Sequence, residues 1–199
     1  METTNVLVLY ASKHGATRQI AEQVWRTLRD AGLHAELRDA QDAPDPGRYQ
    51  AIVVGTAIYM GQWQSEAKNW LLRHQAALSQ LPLWIFASGP TGQGDPAESL
   101  KGETVPQKLQ ALMDSLKPRE VRVFHGALRT DELNLLERMA IKAVKAPVGD
   151  FRDWKAIEQW AAEISQQLDG TGLRPSETLP ELQVKTAAAK ASVSVIQAN

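Results

Sequence analysis

Four short apolar runs recur along the chain: NVLVLY at 5–10, AIVVG at 51–55, LPLWIFAS at 81–88 and VRVFHGAL at 121–128. Each has the length of a β-strand. The first three are apolar at nearly every position, the pattern of strands covered by helices on both faces of a parallel sheet. A weaker run, LHAELRD at 33–39, alternates, with Leu33, Ala35 and Leu37 on one side, and predicts an edge strand. Between the runs the period lengthens. Residues 17–31 place Ile20, Val24, Leu28 and Ala31 on one stripe that stops at Gly32. Residues 65–78, 103–116 (helical after Pro106) and 153–168 predict three more helices, the last with Ile157, Trp160, Ala161 and Ile164 inward. This alternation predicts an α/β fold, an open doubly wound parallel sheet with right-handed crossovers. Near residue 170 the apolar period ends, so 1–169 is expected to form one domain and 170–199 a disordered tail.

Composition narrows the chemistry. The 199 residues carry a net charge of −1, which gives no global field for nucleic acid. The chain has no cysteine, so thiolate metal sites, iron–sulfur clusters and a cysteine nucleophile are excluded, and redox work would need a bound organic cofactor. None of the four histidines pairs with carboxylates at metal-ligand spacing, so no metal site is expected. With no basic-then-apolar leader and no apolar stretch of about 18 residues, a cytoplasmic location is expected, with peripheral contact at the inner face of the cell membrane left open.

Ligands of doubly wound sheets bind outside the carboxyl ends of the strands, where the strand order switches. The loop after the first run reads Ser12-Lys13-His14-Gly15-Ala16-Thr17 and leads into a helix N-terminus, whose free N–H groups and dipole favour an anion. Ser12 and Thr17 either help to hold a phosphate there or cap the helix. Neither GxGxxG nor GxxxxGK[ST] is present. Tyr10-Ala11-Ser12 and Gly55-Thr56-Ala57 stand where a phospho-acceptor receiver would need acids.

The loop resembles the phosphate loop of the flavodoxin-like FMN-binding family, roughly [ST]-x-[ST]-G-x-T. Ser12, Gly15 and Thr17 match it, and His14 stands at the middle hydroxyl. Two further loops stand where that family holds its flavin ring, GTAIYMGQWQ at 55–64 and ASGPTGQGDP at 87–96. GTAIYMGQW, HGALR and GDFRDWKAIEQWAAEI, in that order, are similar to the menaquinone-dependent protoporphyrinogen IX dehydrogenase branch, over about residues 5–168. The resemblance implies a five-stranded sheet in the order 2-1-3-4-5 and FMN as cofactor. It also implies oxidation of protoporphyrinogen IX with a quinone as acceptor, in haem biosynthesis. Ser12, Lys13, His14, Gly15, Ala16 and Thr17 would hold the phosphate. Thr56, Ala57, Ile58, Tyr59 and Gly61 would flank one side of the ring, and Ser88, Gly89, Thr91, Gly92 and Asp95 the other. Glycines 55, 61, 89, 92 and 94 would let backbone approach the ring. No side chain is an obvious catalytic acid or base.

The same branch carries an added segment, here RTDELNLLERMAIKAVKAPVGD at 129–150. At helical spacing Arg138, Lys142 and Lys145 share one stripe, with Leu136, Met139, Ala140 and Ala143 opposite. With Arg129 these cations either form a solvated face over a packed one or dock an anionic substrate or lipid headgroups. Tyr59 and Trp63 are ring-stacking candidates. Trp25, Trp70, Trp84, Trp154 and Trp160 are expected to pack, and Asp95 to cap its loop. His125 ends a strand near the site and is expected to be a satisfied strand histidine. A flavodoxin-type electron carrier or NAD(P)H:quinone reductase, and a flavin-free binding module, remain the alternatives, and the oligomeric state is open.

Overall fold

The computed structural model describes residues 4–59, 61–144 and 146–170. Strands β1 (Asn5–Ala11), β2 (His34–Asp39), β3 (Ala51–Tyr59), β4 (Leu83–Ser88) and β5 (Glu120–Phe124) form a parallel sheet in the order 2-1-3-4-5. The expected architecture is the observed one. The principal helices are α1 (Ala16–Asp30), α2 (Ser65–Arg73), α3 (Gln110–Leu116), α4 (Leu135–Val144) and α5 (Trp154–Gly170). Of the tail expected at 170–199, Gly170 is the last residue of α5 and 171–199 lie outside the described residues.

Strand pleating sends alternate residues to opposite layers. Val6, Val8, Val53 and Phe86 pack with Ile20, Val24 and Leu28 of α1 and Ile157, Trp160 and Ile164 of α5. Leu7, Leu9, Ile52, Val54 and Ile85 pack with Trp70 and Leu71 of α2 and Leu112 and Met113 of α3. A sheet covered on both sides requires apolar strands without alternation, which is how β1, β3 and β4 read. Trp160 sets its ring edge-on to Phe86 and Phe124, and its indole N–H donates to Glu120 Oε2 at 2.8 Å. Gly55 belongs to this core rather than to a ring-binding loop, since a Cβ there would lie 2.2 Å from the Phe86 ring.

Several boundaries depart from the sequence reading. The run at 121–128 leaves the sheet after Phe124. Ala127–Leu128 turns away and pairs antiparallel with Gly149–Asp150, because His125 and Gly126 are drawn instead onto the loop that follows β4. The helix expected over 65–78 breaks at His74, and regular helix in the 103–116 stretch begins only after a 3₁₀ turn at Gln107–Leu109. β3 runs on to Tyr59, and the Gln62–Trp63 strand folds back on it beside Gly61 at φ 72°. That hairpin buries Trp63 beside the α2 layer.

Candidate functional site

At the carboxyl ends of β1, β3 and β4 lies a cavity of about 550 Å³, a size suited to a small-molecule cofactor. Three loops build it. The first contributes Ser12, Lys13, His14, Ala16 and Thr17, the second Ala57, Ile58, Tyr59 and Gly61, and the third Ser88, Gly89, Pro90 and Thr91. Leu100, the Gly126–Leu128 stretch, Ile141 of α4 and Ala146 complete the lining. None of these last residues was assigned to the site from the sequence, where HGALR counts only toward the resemblance and nothing marks an apolar side chain of a distant segment as a cavity wall.

The first loop is built to leave donors open. α1 starts at Gly15, which takes a left-handed φ of 79°, and no side chain caps the helix. Ser12 and Thr17 therefore do not serve as its cap. With no acid in the first turn either, the leading N–H groups of α1 are available to an anion. His14 Nε2 is buried and makes no hydrogen bond in the protein. It lies 3.3 Å from Glu137 Oε1, without hydrogen-bond geometry.

Glu137 projects from α4 to this loop. It is 7% exposed, and its Oε1 lies 2.6 Å from Lys13 Nζ and accepts from the Tyr59 hydroxyl at 3.3 Å. The Lys13 ammonium also sits 4.0 Å from the Tyr59 ring centroid. The other oxygen, Oε2, accepts from Asn134 N at 2.9 Å while Asn134 Oδ1 accepts from Glu137 N at 2.9 Å, a reciprocal helix cap. Lys13 first, and then the Asn134 N–H, lower the Glu137 carboxyl from 4.5 to about 2. The same pair raises Lys13. Glu137 was not singled out in the sequence. Its signal there is the Asn134-x-x-Glu137 spacing, which marks a helix start and says nothing of the second oxygen.

The third loop is held from below by the residues after β5. Gly89 N donates to Phe124 O at 3.1 Å, and Gly126 N donates to Pro90 O at 3.2 Å. His125 Nδ1 lies 3.0 Å from Pro90 O and Nε2 2.9 Å from Gly94 O. This histidine fastens a loop, in keeping with its reading as a satisfied residue.

Four of the expected cofactor residues do not line the cavity. Gly15 is the N-cap of α1, and Thr56 is fully buried, its hydroxyl accepting from Gln64 N and donating to Ala57 O. Asp95 caps the Pro96–Ser99 turn by accepting from Ala97 N at 2.8 Å, and Gly92 lies in the same loop outside the lining. Trp63 is core packing, whereas Tyr59 does stand at the cavity.

A second cavity of about 420 Å³ adjoins the first and shares His14, Ala16, Ala127 and Leu128 with it. Arg129 lines it with Asp131 and Arg152. The Arg152 guanidinium is bound by Asp150, with Nε 2.8 Å from Oδ1, and reaches Gln19 Oε1 at 2.6 Å and Ala16 O at 3.3 Å. It thereby ties the end of the added segment to the start of α1.

The added helix α4 carries its polarity inside out. Leu135, Leu136 and Met139 are 73%, 77% and 63% exposed, while Glu137 is buried and Ile141 lines the cavity. Of the side that a solvated cationic face would leave packed, Leu136, Met139 and Ala143 are open to solvent. Arg138 and Lys142 are exposed beside it, with Arg138 Nε donating to Leu133 O at 3.1 Å. Lys145 lies outside the described residues.

A sequence model of the flavodoxin domain matches residues 7–154. A protein of Escherichia coli (strain K12) named protoporphyrinogen IX dehydrogenase [quinone] is 23% identical over 180 residues, spanning 84% of this chain and 98% of its own length. Among solved structures, a flavodoxin from the domain Archaea superposes with a TM-score of 0.56 at 13% identity, covering 83% of this chain and 99% of its own. A Streptococcus pneumonia TIGR4 flavodoxin gives 0.52 at 16%, covering 82% and 99%.

Proposed function

The chain belongs to the flavodoxin domain family, an FMN-binding family, and from that premise we propose that it oxidises protoporphyrinogen IX and delivers the electrons to a quinone. The observation that carries the redox reading is the cavity itself. Its anion end has an uncapped helix N-terminus beside the Ser12 and Thr17 hydroxyls, and the rest of its wall is mostly apolar. These features fit a phosphorylated ligand with a large flat ring. The choice of substrate is supported by the name of the Escherichia coli relative.

When bound, FMN supplies the electron and hydride transfer that the side chains of a cysteine-free chain lack. The residues of the chain bind and orient. Ser12, Thr17 and the first N–H groups of α1 receive the phosphate. Ala57, Ile58 and Tyr59 wall one side of the ring site, and Ser88, Gly89 and Thr91 the other. Lys13, His14 and Tyr59 are the titratable side chains of the lining, and Lys13 and Tyr59 are already engaged by Glu137. Protons released by the substrate are accordingly assigned to solvent.

Arg129, Arg138 and Lys142 are assigned to docking, either of the propionates of the substrate or of anionic headgroups around the quinone. The exposed Leu135, Leu136 and Met139 favour a peripheral membrane site for the latter. Among the described residues no helix is long and apolar enough to cross a membrane.

The test is an absorption spectrum after incubation with FMN and desalting, followed by two turnover assays. One pairs protoporphyrinogen IX with menadione, the other NAD(P)H with the same quinone. Retained flavin and turnover of the tetrapyrrole support the reading. Retained flavin with NAD(P)H turnover alone makes the protein a quinone reductase, retained flavin with neither leaves an electron carrier, and a colourless protein is a flavin-free binding module.

A further inference from the structure

On the reading that the cavity takes a flavin phosphate, we propose that Glu137 is a specificity-determining residue, an internal counter-anion that occupies the Lys13 cation and so sets how strongly the loop prefers a phosphorylated ligand. Three observations lead there.

The first is how α4 is seated. Its apolar Leu135, Leu136 and Met139 are exposed along with Arg138 and Lys142, so burial of these apolar side chains does not hold it down. The buried charged group is Glu137, and burial of a carboxylate costs free energy unless it is paired. The second is how its oxygens divide. Oε2 alone completes the cap with Asn134, which an exposed glutamate would do as well. Oε1 is turned to Lys13 and the Tyr59 hydroxyl, with His14 Nε2 alongside. The third is what those partners do. Lys13, His14 and Tyr59 all line the cavity, whereas Glu137 stands behind them. The charge on Glu137 acts on a bound anion through them, and because the Lys13 side chain is 41% exposed the effect is open to screening by salt.

The consequence concerns charge more than shape. With Glu137 ionised, the Lys13–Glu137 pair contributes almost no net charge, and selection of a phosphate falls to the α1 N–H groups and the hydroxyls. Removing the carboxylate leaves Lys13 as a free cation beside the anion site. Removing the lysine leaves a bare carboxylate there.

The experiment compares the dissociation constants of FMN and riboflavin, which differ by the phosphate, for the wild-type protein, Glu137→Gln, Lys13→Met and the double variant, at neutral pH and low salt. The riboflavin-to-FMN ratio of dissociation constants is expected to rise about threefold or more in Glu137→Gln, to fall by a similar factor in Lys13→Met, and to return near wild type in the double variant. The changes should shrink in 0.5 M salt. Equal changes for both flavins, or a ratio that does not move in opposite directions in the two single variants, would overturn the role assigned to Glu137 while leaving FMN binding intact. If the wild-type protein holds neither flavin, the FMN reading fails and this role with it. Should Glu137→Gln misfold, Lys13→Met carries the test by itself, and an unchanged or raised ratio overturns the proposal.

Discussion

The Lys13 ammonium lies 2.6 Å from Glu137 Oε1, joining the loop after the first strand to a helix more than a hundred residues further along the chain. The pairing has a pH window. The Glu137 carboxyl is lowered in the folded protein from 4.5 to about 2, so its contribution is complete above pH 4.5 and is lost as pH falls toward 2. Lys13 is raised, so its contribution fails only in strong alkali, above its ordinary value of 10.5.

Acidification is therefore expected to loosen α4 before the sheet. The absence of cysteine permits a single fluorophore on Met139→Cys. Its anisotropy should drop between pH 4.5 and 2 while the tryptophan emission of the core is retained. In a Glu137→Gln background the anisotropy should start low and lack that step. A probe that moves only together with the tryptophan signal would mean that α4 is not separately held.

Arg152 makes a second link, between the end of the added segment and the start of α1. Its side chain is 7% exposed and is shared by Asp150, Gln19 and Ala16 O, with the guanidinium 4.4 Å from the Trp154 ring centroid. Arg152→Ala should lower stability by about 2 kcal/mol in urea unfolding, within the range for loss of partly buried hydrogen bonds to a charged group. Arg152→Lys should recover less than half, because an ammonium cannot reproduce a planar fork that reaches three partners. Full recovery by lysine would reduce the site to simple charge pairing.

Gly126 makes a sharper test of the third loop. A Cβ there would lie 2.8 Å from the Gly89 carbonyl oxygen, and Gly89 lines the cavity. Backbone cannot yield as a flexible side chain does, so Gly126→Ala should displace residues 89–91. Flavin affinity should fall about tenfold or more, with a stability cost of about 1–3 kcal/mol. Gly94→Ala adds a Cβ that meets nothing within 4 Å, at a residue outside the lining. Despite the strain of its φ of 95°, it should leave flavin affinity within about threefold. Equal losses of affinity in the two variants would mean that general loop strain, and not the Gly89 contact, is what matters.

Sheet and first loop were legible in the sequence because each rests on local rules. Double coverage forces uninterrupted apolar strands, and a glycine at the turn into α1 permits the left-handed start. The hidden parts depend on contacts distant in sequence. A helical wheel separates Leu136 and Met139 from Arg138 and Lys142 but cannot say which side meets the protein, and α4 seats neither of these sets inward, turning Glu137 and Ile141 to the cavity side. The apolar character of 121–128 extends past the true strand end, since the pull on His125 and Gly126 comes from Pro90 and Gly94. Trp63 reads as a loop aromatic until the hairpin at Gly61 folds it back onto the core.

The open apolar side of α4 yields the last prediction. Leu135, Leu136 and Met139 share a short helix with Arg138 and Lys142, which is the pairing of apolar insertion with headgroup attraction found in interfacial helices. Binding to vesicles containing anionic lipid, measured by co-sedimentation, should be detectable and weaken as salt rises, since each exposed cation contributes through a screened field. Leu136→Glu with Met139→Glu should reduce binding tenfold or more, because burying each of these side chains is worth about 1.5–3 kcal/mol. Arg138→Glu with Lys142→Glu should abolish the preference for anionic over neutral vesicles. All four sites are exposed and none lines the cavity, so FMN binding should be retained in both variants. Binding that ignores the cations but needs the leucine and methionine would instead assign the patch to an uncharged apolar partner.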